Sequence, residues 1–268
     1  MTMTRSETVR PEFRNRLSHQ GRRVLVTGGA RGIGLAIAEA FAARGATVAL
    51  CDLDPEAVAG ATAQIAASDA AGSVLPVTCD VSDYAALSAA LEAAGGNFDT
   101  VINNAGISPK HDGVAHKVWE MDPAEFRHVL DVNLTGSFNT VRALAPGMIA
   151  AKRGWVVNMS SVAGKTFMPV VACHYAATKS AILGFTRHLA GELGPHGIRV
   201  NALAPGRIET PMVLGVAPEV NAAQVEMTPL ARLGEPAEVA EAALWLTDAE
   251  SSFVTGQTID VAGGLLMT

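Results

Sequence analysis

The chain predicts a single doubly wound Rossmann-type α/β domain: a parallel sheet of about seven strands with helices on both faces. Three observations carry that expectation. Short β-rich runs alternate with longer segments of helical period along most of the sequence. Gly28, Gly32 and Gly34 crowd the point where the first strand hands over to the first helix. The composition, 49% apolar and 17% charged over 268 residues, suits a sheet covered on both sides.

The elements follow in order. Val24 to Thr27 is apolar without alternation, as in a strand buried on both faces, and Ile33 to Arg44 has the period of an amphipathic helix. Thr47 to Cys51 reads as a strand, Pro55 to Ala67 as a helix, Ser73 to Cys79 as a strand and Tyr84 to Ala94 as a helix. Asp99 to Asn103 is a fourth strand, and Pro123 to Lys152 reads as one long helix. Trp155 to Met159 (strand), His174 to Leu193 (helix) and Ile198 to Leu203 (strand) continue the alternation. Pro211, Pro218 and Pro229 interrupt Arg207 to Leu233, which is expected to be irregular, with residues 207–233 forming a substrate loop. Pro236 to Leu246 is a last helix before a final strand near Gln257 to Val261.

No composition shift marks an internal linker, so residues 21–268 are expected to form one catalytic domain. Residues 1–20 read as an arm, either solvated or draped over a neighbouring subunit. Its Arg5, Arg10, Arg14 and Arg16 suggest a transit peptide, but Glu7 and Glu12 count against one. A net charge of −6 and a pI near 5.6 give no footprint for nucleic acid. No apolar run reaches the roughly 18 residues that span a bilayer, and no secretory segment follows Met1. Cys51, Cys79 and Cys173 are scattered, without C-x-x-C spacing or a histidine cluster, so no metal site is expected. They read as reduced, mostly buried thiols of a cytoplasmic protein.

Function is concentrated in a few positions. Glycines at 28, 32 and 34, with Arg31 and Ile33 between them, permit a tight turn that brings a pyrophosphate against backbone N–H groups and a helix N-terminus. Asp52, with Leu53 beside it, closes the second strand, where a carboxylate bonds adenosine ribose hydroxyls. Arg31 competes as a partner for an NADP 2′-phosphate. A carboxylate beside that phosphate costs about 4 kcal/mol at 4 Å and an effective dielectric near 20, so NAD is expected over NADP. Tyr175 and Lys179 stand four apart, which on a helix puts phenol and ammonium on one face. A neighbouring cation favours the phenolate and is expected to lower the tyrosine pKa toward neutrality.

From about Gly21 onward the chain resembles the short-chain dehydrogenase/reductase family. The resemblance rests on the glycine turn, Asp80-Val81, Asn103-Asn104-Ala105-Gly106, Asn133, Ser161, Tyr175/Lys179 and Pro205-Gly206. It implies that Asp80 and Val81 flank the adenine, although Asp80 also reads as a cap for the helix at Tyr84. It implies that Asn104, Ala105 and Gly106 line the cofactor and that Pro205, Gly206, Ile208 and Thr210 enclose its nicotinamide end. Asn103 is expected to hold neighbouring strands together.

By the same resemblance, Tyr175 is the general base or acid and Lys179 holds the cofactor ribose. Asn133 would keep a water that passes protons to Lys179. A serine of the Ser160-Ser161 pair, in the family usually the second, bonds the substrate oxygen. The implied activity is hydride transfer between NAD and a secondary alcohol or ketone. Glu209, Glu219 and Glu226 in the variable stretch disfavour an acidic carrier protein as partner, so a small neutral sugar, polyol or cyclic alcohol is expected. The alternatives are an NADPH-dependent 3-oxoacyl thioester reductase and a non-catalytic dinucleotide-binding regulator. Pro109 to His116, Lys165 to His174 and Arg207 to Leu230 are the expected substrate walls, with His111, His174 and Arg207 as polar contacts. A homotetramer is implied, with Leu265, Leu266 and Met267 packing on another subunit.

Overall fold

Seven strands and nine helices alternate through residues 19–267, the part of the chain that the computed structural model describes. The arm therefore lies outside the described residues except for its last two. His19 already belongs to the fold: it is buried, edge-on to Phe41, with Nε2 3.2 Å from Thr247 Oγ1.

The strands are β1 (Arg23–Thr27), β2 (Thr47–Asp52), β3 (Ser73–Thr78), β4 (Thr100–Asn103), β5 (Gly154–Met159), β6 (Ile198–Pro205) and β7 (Thr258–Val261). They form one parallel sheet in the order β3-β2-β1-β4-β5-β6-β7. The order reverses between β1 and β4, and crevices at such a reversal open beyond the carboxyl ends of the strands. Pro76 lies in the outer strand β3, the position in a sheet where a missing N–H costs least.

The helices are α1 (Gly32–Ala43), α2 (Pro55–Ala66), α3 (Tyr84–Ala93), α4 (Pro123–Leu130), α5 (Gly136–Ala151), α6 (Cys173–Leu193), α7 (Pro211–Leu214), α8 (Pro218–Glu226) and α9 (Pro236–Thr247). Side chains of α1, α2 and α9 pack on one face of the sheet around Ile37, Phe41 and Leu244. Those of α3, α5 and α6 pack on the other around Leu87, Leu144 and Leu189. Asp54, Asp83 and Asp122 cap α2, α3 and α4 by accepting first-turn N–H bonds.

Two elements differ from expectation. The segment 123–152 is not one regular helix, because a π turn at Asp131–Thr135 joins α4 to α5. Asn133 in that turn bonds the chain after β4, a tertiary contact that helical periodicity does not register. The segment 207–233 contains α7 and α8, and Pro211 and Pro218 open these helices instead of breaking them. At a first helical position proline gives up an N–H that has no partner anyway.

Leu265 and Leu266, expected on another subunit, are half-buried. They pack within their own chain, against the cluster of Val162, Ala163 and Met168 that Tyr175 joins. Met267, by contrast, is exposed.

Candidate active site

The glycine turn is fixed from below. Thr27 Oγ1 accepts the backbone N–H groups of Asn104 and Ala105, each at 3.1 Å. The Asn104 amide donates to the Thr27 and Gly28 carbonyls at 3.1 and 2.9 Å. Asn104 thus serves as the clasp of the turn. Gly28 has φ +61°, and a Cβ there would lie 2.8 Å from the Ala105 Cα; a Cβ on Gly34 would lie 2.0 Å from the Gly28 carbonyl oxygen. Unlike its neighbours, α1 has no side-chain cap and no acidic residue in its first turn. Its N–H groups and positive dipole end suit an anion.

Asp52 is set beside that turn, its Oδ2 accepting from Ala30 N–H at 3.1 Å and its Oδ1 from Leu53 N–H at 2.8 Å. Arg31 does not meet Asp52; it pairs with Asp54 at 3.3 Å on the surface. Leu53 is exposed, and Ile33 packs against the core beneath.

Asp80 accepts from Ser82 N–H and Ser82 Oγ at 2.8 and 2.7 Å, while Asp83 caps α3. The cap reading of Asp80 is thereby overturned. Buried Val81 presses on Gly136, where a Cβ would come within 2.6 Å of it. Asn139, unnoticed in the sequence, fixes this corner by donating to the Val81 and Ser82 carbonyls at 2.9 and 3.1 Å.

Past β6, Gly206 N–H bonds the Val261 carbonyl at 3.0 Å. Ile208 is buried and bridges to Gly234, and Thr210 Cγ2 would lie 3.2 Å from a Cβ on Gly32. The chain after Pro205 therefore folds back over the glycine turn. A half-buried backbone cradle, an uncapped helix end and a carboxylate at the end of β2 fit a dinucleotide.

Deeper in the cleft, Tyr175 and Lys179 lie on α6, with Lys179 Nζ 5.4 Å from the centre of the tyrosine ring. Lys179 is buried and donates to the Met159 carbonyl at 2.7 Å. Burial lowers its pKa to about 8. Burial raises the Tyr175 pKa, and a hydrogen bond from Ser161 works against that rise. The tyrosine shift thus runs opposite to the direction expected from the neighbouring cation. Removing both groups from water disfavours both charges, and spacing alone does not report burial.

The two serines are separated by geometry. Ser160 Oγ is buried and spends its proton on the Lys179 carbonyl at 2.7 Å. Ser161 Oγ, which accepts from Ala163 N–H at 3.2 Å, is the hydroxyl that reaches Tyr175.

Asn133 is buried and its amide is already committed. Its Oδ1 accepts from Ile107 N–H at 2.8 Å, and its Nδ2 donates to the Ile107 carbonyl at 3.0 Å and to Thr178 Oγ1 at 3.2 Å. A Cβ on Gly106 would be 3.4 Å from Asn133 Oδ1 and 3.5 Å from Lys179 Nζ, so the three positions meet. Asn103 ties strands together, donating to Asn158 Oδ1 at 2.8 Å.

The expected substrate walls are partly so. A cavity of about 260 Å³ lies between residues 115–118 and 167–176 and includes His116, Phe167, Met168 and Cys173 in its lining. His174 is no wall contact: it is fully buried and bonds Glu125 at 3.1 Å. Arg207 is half-buried and holds Asn221 Oδ1 at 2.6 and 2.9 Å.

Among the described residues, no helix is long and apolar enough to cross a membrane. A family model described as enoyl-(acyl carrier protein) reductase matches residues 28–266. The galactitol 2-dehydrogenase (L-tagatose-forming) of Cereibacter sphaeroides is 39% identical over 256 residues, 94% of this chain and 98% of its own. A solved structure of a 3-oxoacyl-[acyl-carrier protein] reductase from Brucella melitensis is 66% identical with a TM-score of 0.94, covering 100% of this chain and 99% of that one. A second from the same organism, with bound NAD, is 64% identical with a TM-score of 0.92 and the same coverage. The chain belongs to the short-chain dehydrogenase/reductase family, nicotinamide-dependent oxidoreductases acting on CH–OH groups.

Proposed function

We propose that this enzyme is an NAD-dependent dehydrogenase of a small neutral secondary alcohol, a sugar, polyol or cyclic alcohol, working as a homotetramer. The observation that carries the reading is the buried Lys179 ammonium 5.4 Å from the Tyr175 ring on the same helix, with Ser161 favouring the tyrosine's charged form. When bound, the nicotinamide supplies the hydride acceptor or donor. Tyr175 Oη takes the alcohol proton in oxidation and returns it in reduction. The Ser161 hydroxyl donates to the substrate oxygen, where charge develops. Lys179 stabilises the phenolate by charge and holds the ribose. Asn133 acts as a positioning residue, setting the wide turn that lets Gly106, Lys179 and the chain after β4 converge.

The dinucleotide would lie on Gly28, Arg31, Gly32, Ile33 and Gly34, with Asp52 and Leu53 at the adenosine ribose and Asp80 and Val81 at the adenine. Asn104, Ala105 and Gly106 would line its middle, and Pro205, Gly206, Ile208 and Thr210 its nicotinamide end. The fixed Asp52 carboxylate and the pairing of Arg31 with Asp54 support NAD over NADP. The 64% identical Brucella melitensis protein was solved with NAD.

A neutral substrate is supported by the pairing of Lys165 with Asp260 and by the exposed carboxylates of Glu209, Glu219 and Glu226. The second reading is an NADPH-dependent 3-oxoacyl thioester reductase; the name of the Brucella melitensis proteins favours its substrate, and the NAD bound to one of them does not favour its cofactor. Following reduced-nicotinamide absorbance with polyols, sugars and acetoacetyl-CoA separates the two. Efficient acetoacetyl-CoA reduction without polyol or sugar oxidation would replace the first reading by the second.

A further inference from the structure

Three side chains at the rim of the cleft take no part in the proposed chemistry, yet they face one another. His111 and His116 lie on the segment after β4, and Glu125 is in the first turn of α4. One ligand-type atom from each lies within 4.8 Å of the others. His111 Nε2 is 2.6 Å from Glu125 Oε2, and the two imidazoles stack with ring centres 3.5 Å apart.

The local chain is shaped to bring them together. His111 and Val114 exchange backbone hydrogen bonds of 2.8 and 2.9 Å across a tight turn. Asp112 and Gly113 occupy that turn with φ of 50° and 80°. The carboxylate is anchored from the interior: the fully buried His174 bonds Glu125 Oε1 at 3.1 Å and leaves Oε2 toward His111. The Nδ1 of His174 has no hydrogen-bond partner among the described residues, so Glu125 is its side-chain tether.

Two imidazoles and a carboxylate form a borderline donor set, suited to Zn²⁺ and its neighbours and not to Mg²⁺ or Ca²⁺. A ligating carboxylate that is itself hydrogen-bonded from behind is the usual outer arrangement of such centres. Bonds of about 2.0–2.1 Å in a tetrahedron set ligand atoms about 3.3 Å apart. The rings lie within 4° of parallel, so their lone pairs converge on one ion only if one ring rotates well out of the stack, and His111, with a side chain 41% exposed on its turn, has room to do so.

We propose that His111, His116 and Glu125 form a binding site for one divalent transition-metal ion of the Zn²⁺ class, with a fourth position open to solvent. The ion would clamp the loop after β4 to α4. Through His174 the clamp reaches the residue next to Tyr175, at the edge of the substrate cleft.

The test is direct binding to the full chain, without substrate. Chelator-stripped protein is titrated with Zn²⁺ by calorimetry and with Co²⁺ by visible absorption. One ion per chain is expected, with Co²⁺ bands of low coordination number. His116→Ala and Glu125→Gln should each abolish that stoichiometric event. His174→Phe, which removes only the anchor, should weaken it about 10–100-fold. His188→Ala, which breaks the exposed surface pair with Glu192, should leave it unchanged. Circular dichroism checks folding, and His111→Ala on the exposed turn is the fallback should a buried substitution unfold the chain. No stoichiometric binding by the wild type, or binding that survives both His116→Ala and His111→Ala, overturns the site.

Discussion

At the scale of single residues, the proposal depends on which hydroxyl meets the substrate. Tyr175→Phe should lower turnover by about 10²–10⁴-fold, the usual worth of a positioned acid–base group, while NADH binding by fluorescence titration persists. Ser161→Ala should cost about 10²–10³-fold in kcat, as loss of a donor to a developing oxyanion does. Ser160→Ala should instead cost about 1 kcal/mol of stability with turnover kept, because its bond goes to a backbone carbonyl. Equal losses from the two serine variants would contradict this assignment. Burial holds the Tyr175 pKa up and brings Lys179 to about 8. Tyr175 must lose its proton before it can take one from the alcohol. Oxidation uses the deprotonated tyrosine, so its kcat/KM should rise with pH while that of reduction falls. Steady-state profiles in both directions check the sign, and a flat profile for oxidation would refute it. The Tyr175/Lys179 pairing was legible because four residues on a helix fix a face. The direction of the tyrosine shift was not, because burial belongs to the assembled fold.

At the scale of elements, the glycine turn and the π turn make opposite demands on the chain. Gly34→Ala forces a Cβ to within 2.0 Å of the Gly28 carbonyl, so it should disrupt the turn and abolish NADH binding. Gly60→Ala, inside α2 with nothing near its Cβ, should instead raise stability by roughly 0.5–1 kcal/mol in a urea titration. Gly34→Ala protein that binds NADH normally would show that the cradle is not where the phosphates sit. Strands and most helices could be read from the sequence because period and caps are local signals. The π turn could not, since it depends on Asn133 reaching Ile107. Nor could the cluster at His111, His116 and Glu125, which needs a turn at Asp112-Gly113 and a helix from a different stretch. The five-residue spacing of the two histidines was its one visible trace. Proline misled at Pro211 and Pro218, where the same residue that stops a helix also starts one.

At the scale of the whole molecule, the tetramer predicts a light-scattering mass four times the 27.7 kDa chain at micromolar concentration. A monomer would contradict it. Leu265 and Leu266 are half-buried against the cluster beside Tyr175. Removing the last few residues should therefore loosen the cleft as well as any assembly. The sheet's two borders are not equivalent. On the β3 border, Pro76 interrupts the row of amide donors that a stranger's backbone would need for lateral growth. Polymerisation through that side is chemically discouraged, which leaves a highly apolar chain one guarded flank during the time it spends unassembled.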